Sequence, residues 1–270
     1  MSDPHLALRC DDRGVATLTL CRQGSRNALT PAMVRGIPEL LREAAALPPE
    51  RCRVLVLRGE GPVFCAGADI RAMLDSGQTD EAANLADARR FAALFRSVAA
   101  FPAPVLAAVQ GAALGGGFGL AVSADLTLAE ETARFGTPET RLGIVPAVIS
   151  PYVVRRLGPG PAGPFLFGGA LAAGQAARRA GIVHELAPPD SLEAALERRV
   201  DALLQNAPRA VRQAKKLLLL EAPLPSRAIE EQTVFAIATA RASAEGQAGT
   251  AAFLEKKAPP WVPPAAGATG

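Results

Sequence analysis

A chain of 270 residues is long enough for one large domain or two small ones with a substantial core, which excludes a small disulfide-stapled scaffold. Apolar residues make up 49% of it but aromatic residues only 4%, with 25 glycines, so the core rests on Ala, Leu and Val with closely approaching backbones, and stacked aromatic platforms for bases are not expected. Lys and Arg number 29 against 26 Asp and Glu, a net charge of +3 that gives no field for nucleic acid, so any anion site has to be local.

In chain order, Val15 to Leu20 reads as a strand, Met33 to Ala46 as a helix, and Val54 to Leu57 as a buried strand ending at Arg58-Gly59. Asp75 to Asp80 reads as a loop, and the helical pattern from Glu81 to Ala99 is stopped by Pro102 and Pro104. Val105 to Val109 is a second buried strand, followed by a glycine cluster from Gly111 to Gly119, a short helical pattern and the strand Leu126 to Ala129. Beyond Pro146 the pattern is mostly helical: Ser191 to Leu204 opened by a Ser cap, Ala207 to Leu220, Ser226 to Ala242, and Ala244 to Lys257. The Pro-, Ala- and Gly-rich tail from Pro259 reads as frayed. Strands alternating with helices make this an α/β chain.

The N-terminus lacks a basic stretch followed by an apolar run, and Cys10, Cys21, Cys52 and Cys65 show no CxxC spacing, so a cytoplasmic protein with free thiols is expected. No run of about 18 apolar residues is present, so no membrane span is expected. His5 and His184 are the only histidines, which leaves little material for a metal site or a Ser-His-Asp triad, and His184 reads as structural.

Two glycine-containing turns each follow a buried strand and precede a helical pattern: FCAGAD at 64–69 and GAALGGGFG at 111–119. Backbone N–H groups at such a turn face outward at the positive end of a helix, and small residues leave them accessible. Either turn alone is also what tight packing requires, but two of them suggest a two-donor oxyanion hole. A Walker loop lacks its Lys-Ser or Lys-Thr here, and a ribose-binding acid is missing at a convincing distance for a dinucleotide fold. A third element, FGTPETRLGIVP at 135–146, places Glu139 in the first turn after Pro138, where a carboxylate also simply favours a helix start.

Together FCAGAD, VQGAALGGG and ARFGTPETRLGIVP resemble the crotonase family of enoyl-CoA hydratases and isomerases, and SRNAL around Asn27, AGIVHEL and AAFLEKKAPPW extend the resemblance over roughly residues 10 to 261. It implies an α/β spiral of ββα units over residues 1–200 that binds acyl-CoA, a helical region over 201–258 for assembly, and a flexible tail over 259–270. Position by position it implies that the N–H groups of Ala68 and Gly116 are the oxyanion donors and that Glu139 handles the proton. Ala66, Gly67, Asp69, Ile70 and Gly115 would contact the substrate or its CoA moiety; Arg26, Lys256 and Lys257 would meet CoA phosphates, and Arg71 would face the acyl group. The second glutamate of two-carboxylate hydratases falls on Gly119.

The implied reaction is hydration of an α,β-unsaturated acyl-CoA through an enolate, with β,γ to α,β isomerisation or decarboxylation as alternatives, and a non-catalytic acyl-CoA- or RNA-binding relative as an alternative of another class. GGGFGL, PAVISPYVV (146–154) and NLADARRFAALF (84–95) resemble a branch of methylglutaconyl-CoA and isohexenylglutaconyl-CoA hydratases, in which Gly also replaces the second glutamate. Ala147 and Pro146 stand where dehalogenase-like and naphthoate-forming members carry an aspartate, Cys65 reads as a packed thiol, and the hydroxyls of Ser150 and Tyr152 are candidates to orient water. No metal or resident cofactor is expected, coenzyme A being part of the substrate, and a homotrimer or dimer of trimers is implied. No nucleic-acid or membrane partner is expected.

Overall fold

The computed structural model describes residues 3–262. Strands β1 (Leu6–Cys10) and β2 (Val15–Leu20) form an antiparallel hairpin. Its turn is closed by Asp11, whose carboxylate accepts from Val15 N–H (2.8 Å) and whose carbonyl accepts from Gly14 N–H (3.1 Å). Helix α1 (Pro31–Ala45) starts at Thr30, whose hydroxyl accepts from Met33 N–H, with Pro31 at the first position, where a missing N–H leaves no bond unmade.

From β3 (Val54–Gly59) the chain repeats one unit: a strand in a large sheet, a short strand or bridge in a small one, then helix. β3 is followed by a bridge between Cys65 and Ala113, then α2 (Ile70–Gly77) and α3 (Glu81–Ala99). β4 (Val105–Val109) is followed by β5 (Ala112–Leu114) and α4 (Gly116–Ser123). β6 (Leu126–Glu130) is followed by β7 (Arg134–Gly136), a 3-10 turn over Pro138–Leu142, α5 (Ser150–Leu157) and α6 (Pro159–Leu166). Then come β8 (Leu171–Ala173), α7 (Gly174–Arg179), β9 (Glu185–Ala187), α8 (Leu192–Leu204), α9 (Pro208–Glu221), α10 (Arg227–Ala242) and α11 (Ala244–Leu254). The large sheet runs β1-β2-β3-β4-β6-β9, parallel except for β1, and the small one β5-β7-β8. This is the α/β spiral of ββα units.

The buried strands read as unbroken apolar runs because both faces are covered. Leu55 and Leu57 enter the main core with residues of α1, α3 and α4, while Val54 and Val56 pack on Ala195, Leu196 and Val200 of α8. A third cluster joins Ala88 and Ala92 of α3 and Val234, Ile237 and Ala238 of α10 to Leu142, Ile144 and Ala147, so α10 reaches the loop that follows Glu139. Polar links lock α10 to α3: Asn84 Nδ2 donates to the Ala238 carbonyl (2.7 Å), and Arg89 and Arg96 pair with Glu231 and Glu230.

Several local expectations change. Asp75 to Gly77 is the end of helix α2 rather than loop, because the Asp69 carboxylate accepts from Arg71 and Ala72 N–H and nucleates α2, and only Gln78 to Asp80 of the expected loop is non-helical. Ser191 makes no side-chain cap: its hydroxyl donates to the Pro189 carbonyl instead (3.5 Å). The last helix ends at Leu254, three residues early, where Lys256 turns to φ +57°. Pro259 to Val262 is a turn closed by Val262 N–H to the Pro259 carbonyl (3.0 Å) rather than frayed chain; the rest of the expected tail, residues 263–270, lies outside the described residues. Among the described residues no helix is long and apolar enough to cross a membrane.

Candidate active site

The turn after β3 is held as an extra strand of the small sheet. Cys65 N–H donates to the Ala112 carbonyl (3.1 Å) and Leu114 N–H to the Cys65 carbonyl (3.0 Å), while Leu29 N–H donates to the Gly67 carbonyl (2.8 Å) and Asp69 N–H to the Leu29 carbonyl (3.0 Å). Asn27, fully buried, clamps this arrangement: its Nδ2 donates to the carbonyls of Glu60 (2.9 Å) and Val63 (2.7 Å). With both neighbours tied to Leu29, the Ala68 amide faces the other way. The second turn passes through Gly115 at φ +49°, whose N–H donates to the Gly136 carbonyl (2.9 Å), and Gly116 opens α4. Neither Ala68 N–H nor Gly116 N–H donates to any group among the described residues. They border one space: a Cβ added to Gly116 would stand 3.6 Å from Ala68 N. Gly67, at φ +105°, leaves no room for a side chain, since a Cβ would meet the Leu114 carbonyl at 2.9 Å.

Glu139 arrives at the same space from the 3-10 turn. Pro138 starts that turn, Gly143 ends it at φ +69°, and Ile144 N–H donates to the Glu139 carbonyl (3.2 Å). A Cβ on Gly115 would lie 2.8 Å from Glu139 Oε1, so only glycine fits beneath the carboxyl. Oε2 is buried without a hydrogen-bond partner. Burial away from water pushes the Glu139 carboxyl up to about 7.

Ala68, Gly116 and Glu139 line a cavity of about 40 Å³ whose remaining wall is apolar, including Met73, Phe91, Phe95, Ile144 and Ile237, except for Arg241. At Gly119 a Cβ would stand 2.5 Å from Ile149 Cγ2 and 2.7 Å from the Phe95 ring. Hydrocarbon therefore fills the position of the second glutamate.

The other sequence candidates separate. Arg26 is exposed in left-handed conformation, with its carbonyl accepting Ala66 N–H (2.9 Å), so its side chain stands at the rim of the first turn. Asp69 is a helix cap and pairs with Arg22 (3.0 Å), and Ile70 packs against the third cluster. Arg71 is exposed and is not among the cavity-lining residues. Lys256 and Lys257 are exposed after α11, Lys257 paired with Glu255 (2.7 Å). The Ser150 hydroxyl donates to the Ala147 carbonyl (2.7 Å), and the Tyr152 hydroxyl is buried outside the cavity lining, so neither is placed to hold water there. Cys65 is fully buried, its thiol pushed up to about 12, which keeps it from acting as a nucleophile. His184 accepts Thr127 N–H at Nδ1 (3.0 Å); burial and the nearby Arg156 lower it to about 4, the state of a neutral structural histidine.

Arg241 and its partner Asp87 (2.7 Å) were not singled out from sequence. The signal was present: Val234, Ile237, Ala238 and Arg241 follow one helical face, an arginine continuing an apolar stripe.

Two backbone donors and a carboxyl that changes charge near neutrality can together stabilise an oxyanion and move a proton on the adjacent carbons. The chain matches the enoyl-CoA hydratase/isomerase family over residues 11–263. It is 35% identical to the 2,3-dehydroadipyl-CoA hydratase of Escherichia coli over 91% of this chain and 94% of that one. Its structure superposes on Pseudomonas aeruginosa AtuE with a TM-score of 0.77 at 39% identity, covering 94% and 98% of the two chains. On an enoyl-CoA hydratase from Mycobacterium avium subsp. paratuberculosis it superposes with a TM-score of 0.85 at 25% identity, covering 96% and 99%. A match over nearly the whole chain, on a fold with these two turns and this carboxyl, places the protein in the enoyl-CoA hydratase/isomerase family.

Proposed function

We propose that the protein adds water to an α,β-unsaturated acyl-CoA. The observation that carries this reading is the convergence of two unpaired backbone N–H groups, Ala68 and Gly116, with a carboxyl held near neutrality on one apolar cavity. The thioester oxygen accepts both N–H groups, and their hydrogen bonds strengthen as it gains charge. The Glu139 carboxylate takes a proton from water as the water oxygen bonds to the β carbon, and the acid so formed gives that proton to the α carbon. The reverse sequence removes water. Arg26, Lys256 and Lys257 supply exposed cations for the phosphates of the CoA moiety. A branched or glutaconyl-type acyl group is the substrate that the sequence resemblance implies, and a cytoplasmic compartment fits the free thiols.

Isomerisation of a β,γ double bond is the second reading, favoured by the hydrocarbon at Gly119, which leaves one carboxyl to shuttle a proton between two carbons. Offering a panel of enoyl-CoA thioesters and weighing the products separates the two: gain of water supports hydration, an isobaric shift supports isomerisation, and loss of carbon dioxide overturns both. Glu139→Gln is expected to retain thioester binding and lose turnover by at least about 100-fold; full turnover would remove Glu139 from the mechanism.

The proposed assembly is a trimer or a dimer of trimers through the C-terminal helices. Exposed Leu217, Leu218 and Leu220 on α9, Phe235 on α10 and Phe253 on α11 support it.

A further inference from the structure

The acyl cavity holds one cation that the hydration step leaves unused. Arg241 on α10 is only 3% exposed. It lines the cavity of Ala68, Gly116 and Glu139 and also a space of about 10 Å³ beside it, next to Asp87 and Phe91. Its Nη1 donates to Asp87 Oδ2 at 2.7 Å, while Nε is buried with no partner. An unpaired guanidinium N–H in an apolar wall is a cost with no structural return. Asp87 pairs with Nη1 alone, and its other oxygen is approached only by the half-exposed Arg90 at 3.8 Å. Asp69, the other acid on the smaller space, is already matched to Arg22.

We infer that Arg241 receives a carboxylate at the far end of the acyl chain, so that the substrates are CoA thioesters of short unsaturated dicarboxylic acids. The inference rests on the acyl-CoA reading above and moves the acyl-recognising cation from Arg71, exposed on α2, to a buried residue on α10. A carboxylate oxygen at Nε would give that N–H the acceptor it lacks, and the planar guanidinium suits a carboxylate more than a hydroxyl. An acyl chain ending in methyl would leave that N–H without an acceptor.

The test compares binding of two saturated thioesters of equal chain length, glutaryl-CoA and pentanoyl-CoA, by calorimetry. The protein is expected to bind glutaryl-CoA about 10- to 100-fold tighter. Arg241→Gln should bring the ratio to within about twofold of one, and Arg241→Gln combined with Asp87→Asn should do the same without stranding a buried carboxylate. Arg241→Lys should keep part of the preference. Equal affinities in the unaltered protein, or a preference that survives the double substitution, overturn the inference. Because neither ligand can be hydrated, a protein that prefers glutaryl-CoA yet adds water to no enoyl-CoA overturns the hydratase reading and leaves this one standing.

Discussion

At Glu139 the carboxyl stands over a glycine with one oxygen unpartnered, and its raised proton affinity has a consequence for stability. The carboxyl titrates near its ordinary value in the unfolded chain but at about 7 in the folded one, so the folded state binds the proton more tightly. Stability from this group is full below pH 4.5, falls as pH rises, and is lost once the folded carboxyl ionises near pH 7. Glu139→Gln removes the penalty. The variant is expected to be more stable than the unaltered protein at pH 8, by on the order of 2 kcal/mol, and equal to it at pH 4; urea titrations at the two pH values check this, and an equal shift at both would show that ionisation is not the cause. The same residue scale explains Gly119. With Ile149 and Phe95 already within 2.5 and 2.7 Å of an added Cβ, a carboxylate there would need a different turn before α5 and a different α3, so the one-carboxylate site is a property of its neighbours as much as of the glycine.

At the scale of elements, α11 braces the turn that carries Glu139. A Cβ on Gly249 would stand 2.4 Å from both the Leu142 carbonyl and the Trp261 ring, and one on Gly143 would stand 2.5 Å from the Glu245 carbonyl. The helix therefore lies against the backbone of the 3-10 turn with no side chain between them. Gly249→Ala is expected to push the two apart, lowering stability by about 1–3 kcal/mol and lowering kcat more than it raises KM, because the carboxyl shifts while the thioester donors on α4 and the first turn stay in place. Steady-state kinetics with thermal unfolding check this. Trp261, the single tryptophan, reports on the contact by fluorescence, and an unchanged emission with unchanged kcat would show that α11 does not position the turn.

For the whole molecule, the apolar side chains left exposed on α9, α10 and α11 set the expected assembly. Light scattering should give three or six chains per particle, and Leu217→Glu with Leu220→Glu should shift the particle toward single chains by placing carboxylates at the contact. A particle of one chain before substitution would overturn the assembly.

Much of the fold was written in local pattern. Helix α3 begins at Glu81 and ends at Ala99 as its periodicity indicates, and β2 and β4 match their apolar runs, because burial periodicity and proline stops act within a few residues. The two glycine turns and the proline before Glu139 were visible for the same reason: they need special backbone geometry where they stand. Helix α2 was missed because one Asx cap outweighed a polar, glycine-containing composition, and β5, β7 and β8, of three residues each, are too short to carry a period. Sequence determined which residue types face which chemistry. Tertiary structure decided where charge goes: Arg71 outward and Arg241 inward, 170 residues apart in the chain, the Ser150 hydroxyl back onto the Ala147 carbonyl of the preceding turn, and Asp87 under a guanidinium 154 residues away. The physical reason is that the state of a charged or polar side chain depends on what excludes water around it, and here that wall is assembled from α2, α3, α10 and the loop after Glu139, segments that meet only when the spiral closes.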